Sequence, residues 1–386
     1  MSRLEDLVSA LCPGGVKVEP LGVVCEFGKG NWIKADLLQH GKFPVVTSSR
    51  VISHSHSEAN RPGQTVVVAS SGAYAGFVSF WDRPFWLSNA FSVDPRADSQ
   101  LLPKFLFHHL KNLQEKIHDL ASTGGVPNIY GNDLESIPIP LPPLEVQLEI
   151  VRILDTFTEL EAELEAELDA RKKQYEHYRN HLLTFPEGVR LVPMDELFEI
   201  RIGYTPSKSN LEYWDGGTIP WFRLEDIRLN GNVLVDSLSK VSGIAVKGAL
   251  FPKDSIIVST SATIGEHALI RVPFIANQRF TCLSLKPNFS KLVSMEYLNQ
   301  YFHLVDEWCR DNTTMSSFAS VEMSKFRNYL VPLPELTKQV EVAEVLDNFQ
   351  SVISGQGGTL PTEIALRKKQ YEHYRKQLLT FKELVA

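Results

Sequence analysis

Cysteine is scarce and unordered. Cys12, Cys25, Cys282 and Cys309 stand far apart with no Cys-x-x-Cys spacing. That argues against a zinc knuckle or a disulfide framework and for a reducing compartment. No apolar run approaches the roughly twenty residues that span a bilayer. The stretch from Met1 to Leu11 carries Glu5 and Asp6 where a signal peptide would be apolar. The expected location is the cytoplasm. A Walker P-loop is missing, which excludes a nucleotide-driven motor in this chain. Strong charge of one sign is also missing from most of the sequence. The net charge is -7, yet residues 1–142 hold 12 basic and 13 acidic side chains and residues 186–334 hold 15 and 16. Nearly all the excess acid lies in 143–185, with 5 basic and 10 acidic residues, so the charge balance neither demands nor excludes a nucleic-acid partner.

The most informative absence is that of Gly and Pro between Glu145 and Phe185. Apolar residues recur there at Phe157, Leu160, Leu164, Leu168, Tyr175, Tyr178, Leu182 and Phe185, a helical seam that asks for a partner helix. Forty-one residues would make a rod of about 60 Å, entered after Pro142-Pro143 and ended by Pro186. The tandem EAEL tetrapeptides at 161–168 add two four-residue steps, a stutter in heptad phase. The segment also recurs. RKKQYEHYRNHLLTF at 171–185 returns as RKKQYEHYRKQLLTF at 367–381, with only Asn180/Lys376 and His181/Gln377 different. Upstream, Pro140-Leu141-Pro142, Gln147 and Leu154-Asp155-x-Phe157 return as Pro332-Leu333-Pro334, Gln339 and Leu346-Asp347-x-Phe349. The second seam runs through Val342, Val345, Phe349, Val352, Ile364, Arg367, Tyr371, Tyr374, Leu378 and Phe381. Gly355, Gly357, Gly358 and Pro361 interrupt it, which predicts two helical pieces with a bend. The simplest partner for each copy is the other, in an antiparallel pair.

Residues 1–142 and 186–334 are dissimilar but share an order. Each opens with Gly-Val-Lys/Arg and has a β-type stretch running into small hydroxyl residues (65–71; 255–261). An Asn-containing turn follows (88–91; 277–280), then a short helix (103–120; 294–310), a polar loop and a Pro-bounded exit. Same order with different side chains predicts one α+β fold with two reading surfaces.

With PLPPLEVQLEIVRILDTF (140–157) and its second copy, the RKKQYEHYR repeats, and GYTPSKSNLEYW (203–214) followed by IPW (219–221), the whole chain resembles the specificity subunit of a type I restriction–modification system. The resemblance implies two globular α/β target-recognition domains, 1–142 and 186–334. They alternate with two long conserved helical spacers, 143–185 and 335–386, which form an antiparallel coiled coil of pseudo-two-fold symmetry. It further implies that each recognition domain reads one half of a split, asymmetric double-stranded DNA site, and that two methyltransferase subunits dock on the helices. Those subunits methylate adenine N6 with S-adenosylmethionine; motor–nuclease restriction subunits, which use ATP and Mg, complete the assembly. This chain would then bind no cofactor and catalyse nothing by itself. Half-sites about one helical turn apart, roughly 10 bp centre to centre, leave an unread gap of about 5–7 bp.

Base readout needs donors and acceptors on loops: Arg or Lys for guanine, Asn or Gln for adenine, hydroxyls for either. In the first unit the candidates are Lys29, Asn31, Trp32, Lys34, Thr47, Ser48, Ser49, Arg50, Ser71, Tyr74, Asn89 and Asn128. The matching loops of the second give Tyr204, Thr205, Ser207, Lys208, Arg223, Ser261, Thr263, Asn277, Gln278, Arg279, Thr314 and Ser316. Trp32 and Tyr204, close to glycines, read equally as packing residues. The repeats are identical at exposed-type positions that self-packing does not need. That makes Arg171, Lys172, Gln174, Tyr175, Tyr178 and Arg179, with Arg367, Lys368, Gln370, Tyr371, Tyr374 and Arg375, candidates for contact with a repeated partner.

Two other classes compete. Phe27-Gly28-Lys29-Gly30 is a loose echo, one residue short, of the FxGxG loop that binds S-adenosylmethionine, but no Asn/Asp-Pro-Pro-Tyr/Phe tetrapeptide accompanies it to hold a flipped base. A solo methyltransferase is therefore disfavoured. A coiled-coil scaffold that never touches DNA is the other alternative, and two unlike end units argue against it. His54-x-His56 and His108-His109 have no Cys, Asp or Glu at ligand spacing, so no metal site is expected there.

Overall fold

The computed structural model describes residues 2–33, 41–122, 125–314, 319–354 and 360–384. After α1 (Ser2–Leu11) the first half of the chain runs β1 (Lys17–Pro20), α2 (Leu21–Val24), β2 (Cys25–Lys29), β3 (Phe43–Val46), β4 (Ser55–His56), β5 (Thr65–Ala69), β6 (Val78–Trp81), β7 (Trp86–Leu87), β8 (Ala90–Pro95), α3 (Pro103–Asn112), α4 (Gln114–Asp119), α5 (Gly131–Leu134), β9 (Pro138–Leu141) and α6 (Leu144–Leu182). The second half repeats the order: β10 (Arg190–Pro193), α7 (Met194–Leu197), β11 (Phe198–Ile202), β12 (Ile219–Phe222), α8 (Leu224–Asn230), β13 (Val233–Leu234), β14 (Lys240–Val241), β15 (Ser255–Ser259), β16 (His267–Ile270), β17 (Ile275–Ala276), β18 (Phe280–Leu285), α9 (Met295–Asp311), β19 (Thr313–Thr314), β20 (Ser320–Val321), α10 (Met323–Arg327), β21 (Leu330–Leu333), α11 (Leu336–Ile353) and α12 (Leu360–Leu378). Two compact units result: 1–166 with 362–386, and 167–361.

The central strands explain each unit's layers. β5 is β-branched at four of its five positions and buried at all five, so both its faces need cover. Val66 and Val68 face α3, packing with Phe105, Leu106 and Leu110. Val67 points the other way, onto Val46, Phe85 and Leu87. β15 repeats the alternation, with Ile256 and Val258 in one core and Ile257 in the other. The sheets follow suit: β2-β8-β5-β6 beside β4-β3-β7 in the first unit, β11-β18-β15-β16-β13 beside β14-β12-β17 in the second. The second unit adds α8 and β13, the latter parallel to β16.

Each recognition unit enters and leaves through one antiparallel ribbon. β1 pairs β9 from Lys17↔Leu141 to Pro20↔Pro138, and β10 pairs β21 from Arg190↔Leu333 to Pro193↔Leu330. A repeated glutamine then latches spacer to recognition helix. Gln147 Oε1 accepts from the Leu102 N–H at 2.9 Å while its Nε2 donates to the Gln100 and Pro142 carbonyls. Gln339 does the same with Ser294, Leu292 and Pro334.

The two copies pair crosswise. In the first unit the opening part of α6 packs on α12: Phe157 meets Tyr371 and stacks on Tyr374 at 5.4 Å between ring centroids. One and two turns further along α6, Glu161 and Glu165 reach Lys368. Rising numbers on α6 thus meet falling numbers on α12, the antiparallel sense. In the second unit the closing part of α6 packs on α11, and Tyr178 stacks on Phe349, also at 5.4 Å. The second spacer is two helices, as its composition predicts; Gly355, Gly357 and Gly358 themselves lie outside the described residues. α6 ends at Leu182, before the expected Phe185, because the residue preceding Pro186 is pushed out of helical geometry.

Candidate nucleic-acid interface

Several residues proposed from sequence converge at the end of β5. The Ser48 hydroxyl donates to the Asn89 carbonyl and accepts from the Ser70 N–H at 3.0 Å and the Ser71 N–H at 3.2 Å. Asn89 Nδ2 donates to Ser71 Oγ at 2.9 Å, and Ser71 is bridged by backbone to Asn128. One polar cluster therefore joins four loops, with Asn89 exposed. It borders a 240 Å³ cleft lined by Lys29, Gly30, Ser70, Asn89 and Tyr130 among others. Ser70 and Tyr130 were missed by sequence reasoning; Tyr130 lies two residues after Asn128 and is exposed.

The other candidates of the first unit flank this cluster. Trp32 is 74% exposed and so does not serve as packing, while the Asn31 carbonyl accepts from Trp86 Nε1 at 3.1 Å. Thr47 and Ser49 shape the next loop, since Thr47 Oγ1 accepts from the Ser49 N–H. Arg50 lies over two rings, 4.7 Å from the Tyr74 centroid and 4.5 Å from that of Phe77. Lys34 lies outside the described residues, and so does Ser316.

The second unit builds the equivalent place from different side chains. Ser261 is bridged to Ser320, whose hydroxyl meets Thr314 Oγ1 at 2.9 Å. Thr205 Oγ1 donates to Gln278 Oε1, and Asn277 Oδ1 accepts from the Arg279 N–H at 2.9 Å. Gln278 and Arg279 are exposed at the positions Asn89 occupies in the first unit; Lys208 and Ser207 are exposed nearby, and Thr263 is half-buried. Tyr204 packs with Trp221, and its hydroxyl accepts from the Lys247 N–H at 2.7 Å. Arg223 is committed to Ser239 at 3.2 Å and to the Trp221 face.

The glycine echo has a packing cause. A Cβ on Gly30 would lie 1.7 Å from the Ser88 carbonyl oxygen, and on Gly203, its counterpart, 2.3 Å from that of Asn277. Gly30 N–H donates to the Ala90 carbonyl and Gly203 N–H to that of Phe280, both at 2.9 Å. These glycines let two backbones touch, which accounts for the pattern by packing. Among the paired histidines, His56 lies against Trp86, His109 Nε2 faces the Pro138 carbonyl at 2.9 Å, and His108 is bonded to Asp155 and Tyr371.

The repeated phrase divides into two sets. Tyr175 and Arg179, like Tyr371, Tyr374 and Arg375, turn inward to their own unit, whereas Tyr178 stacks on Phe349 yet stays 41% exposed. Arg179 ion-pairs Glu307 at 2.7 Å, and Arg375 lies over the Tyr371 ring. Arg171, Lys172 and Gln174 stay exposed, as do Arg367 and Gln370. Lys368 differs from its counterpart Lys172 because it meets Glu161 and Glu165, and the position answering Glu161 is Ile353.

Sequence comparison covers both units. A family model described as the type I restriction modification DNA specificity domain matches residues 13–170 and again 186–365. The EcoprrI specificity subunit of Escherichia coli is 51% identical over 214 residues, 53% of each chain. The EcoR124I/EcoR124II specificity subunit of the same species is 31% identical over 99% of this chain and 97% of its own. A crystal structure of a type I restriction–modification S subunit from M. genitalium shares the fold, with a TM-score of 0.60 at 16% identity over 94% of this chain and 96% of the other. The duplicated matches, on the two units that the fold itself separates, place this chain in the family of type I restriction–modification specificity subunits.

Proposed function

We propose that this chain reads a bipartite, asymmetric double-stranded DNA site and docks two adenine-N6 methyltransferase subunits and the restriction subunits of a type I enzyme. The observation that carries the reading is duplication with divergence: one scaffold, latched twice by the same glutamine, presents Ser48, Ser71, Asn89 and Asn128 in one unit and Ser261, Gln278, Arg279 and Thr314 in the other. Different donors and acceptors at equivalent places suit different half-sites. Exposed copies of the same residues, Arg171, Gln174, Arg367 and Gln370, suit two copies of one partner. In this reading S-adenosylmethionine belongs to the methyltransferase subunits, and ATP and Mg to the restriction subunits. The test is to express the chain with a type I methyltransferase subunit and map modified adenines by single-molecule sequencing. Methylation at one two-part motif with a gap of about 5–7 bp is expected; a complex that forms yet methylates without sequence selectivity would favour the scaffold.

A further inference from the structure

The duplication supplies a comparison at one buried junction, where the strand after β5 or β15 meets the recognition helix. In the first unit it consists of Val78 on β6, Lys111 and Gln114. Gln114 Oε1 accepts from the Val78 N–H at 3.0 Å and from Lys111 Nζ at 3.3 Å, and Nζ also donates to the Val78 carbonyl. Gln114 Nε2 donates to the Gly76 carbonyl at 2.7 Å. An ammonium thus sits inside a hydrogen-bonded frame.

Counted from the latch glutamines and the strand register, the same three positions of the second unit are His267 on β16 with His303 and Asp306 on α9. The ammonium is gone. Ligand-type atoms of the three residues lie within 4.8 Å of one another. His267 Nδ1 faces Asp306 Oδ2 at 2.5 Å, and its Nε2 faces the Asn299 carbonyl at 2.8 Å. Asp306 Oδ1, His303 Nε2 and Asn299 Oδ1 are buried with no hydrogen-bond partner among the described residues. A buried polar atom left without a partner is costly, and Asn299, His303 and Asp306 share one helix face.

We propose that this cluster binds one divalent transition-metal ion of the zinc class through His267 Nδ1, His303 Nε2 and an Asp306 carboxylate oxygen. Two imidazoles and a carboxylate form a donor set that zinc accepts. The Nε2–H of His267 donating to a backbone carbonyl is the outer contact that leaves Nδ1 as the ligating nitrogen. His303 Nε2 has no hydrogen-bond partner among the described residues and so is not engaged elsewhere. His303 is half-buried and Asp306 is buried. The ion would stand in place of the direct His267–Asp306 contact and tie β16 to α9.

The full chain, stripped with a chelator and dialysed, is titrated with zinc by calorimetry and melted with and without it. One ion per chain and a raised melting temperature are expected in the wild type. H303Q and D306N should each weaken binding by at least about 100-fold with little change in metal-free melting. Cobalt substitution covers the case in which a variant unfolds: d–d bands without a thiolate charge-transfer band support the histidine–carboxylate set. No retained ion at saturating zinc, undiminished affinity in both variants, or a thiolate band placing the ion on the cysteines would each overturn the proposal.

Discussion

His109 is buried, with one ring nitrogen on the Pro138 carbonyl and Nδ1 left without a partner among the described residues. Burial pushes its pKa down to about 4, against the bond to Pro138, from an ordinary 6.5. Between these values the unfolded chain takes up a proton that the folded chain refuses. Stability contributed by neutral His109 is therefore complete above pH 6.5 and falls as pH drops toward 4, by about 3 kcal/mol in all. Urea unfolding of wild type and H109Q at pH 7 and pH 4.5 checks this. The advantage of wild type over H109Q should shrink by about 2–3 kcal/mol at the lower pH; an equal difference at both would refute it. Backbone contact gives a second residue-scale expectation. G30A puts a methyl into the Ser88 carbonyl and should cost several kcal/mol, whereas G243A, with open space around its Cβ, should stay within about 0.5 kcal/mol. Thermal melts of both variants decide it. Here the sequence was ambiguous for a physical reason: a glycine that admits a bound cofactor and one that admits a neighbouring carbonyl are the same letter.

At the scale of elements, the repeats were legible because a seam of apolar residues without Gly or Pro has few alternatives to a paired helix. What holds them to the recognition units was not. In the first unit His108 on α3 joins Asp155 on α6 at 3.0 Å to the Tyr371 hydroxyl at 3.3 Å. In the second, Gln300 on α9 joins Asp347 at 2.6 Å to the Tyr175 hydroxyl at 2.9 Å. Tyr and Asp are repeated; the residue between them is not. A neutral histidine and a glutamine both offer one donor for the carboxylate and one acceptor for the phenol. Burial lowers the His108 pKa against the pull of Asp155, consistent with the neutral form. The carboxylates respond oppositely. Burial raises both, but hydrogen bonds from His108 and Lys104 bring Asp155 below its ordinary value, while Gln300 leaves Asp347 above it. H108Q should therefore cost under about 1 kcal/mol and H108L about 1–3 kcal/mol, because it strands both partners. Chemical unfolding separates them; equal losses would show that packing alone matters at that position.

At the scale of the whole molecule, two unlike surfaces on one scaffold were legible from element order, but which loops meet was not, since Ser48, Ser71, Asn89 and Asn128 lie up to 80 residues apart in the chain. The fold explains why those surfaces can vary independently. Each recognition unit starts and ends on adjacent strands, Lys17↔Leu141 and Arg190↔Leu333, so it hangs from its spacer by one ribbon. The latch and the Tyr–Asp bridge are repeated on the spacer side, and their partners on the unit side are carried by the unit itself. Exchanging residues 17–141 for the equivalent unit of another specificity subunit should change one half-site and leave the other and the gap intact. A stricter version places residues 190–333 in both positions. Such a chain should direct methylation to a site made of two copies of the second half-site. One more EAEL tetrapeptide in α6 adds about 6 Å, under two base pairs of DNA rise, and should shift only the gap. Mapping modified adenines for these variants separates the two roles. Half-sites that change with the EAEL insertion, or a gap that changes with the exchanged unit, would mean that spacing and base readout are not carried by separate parts of the chain.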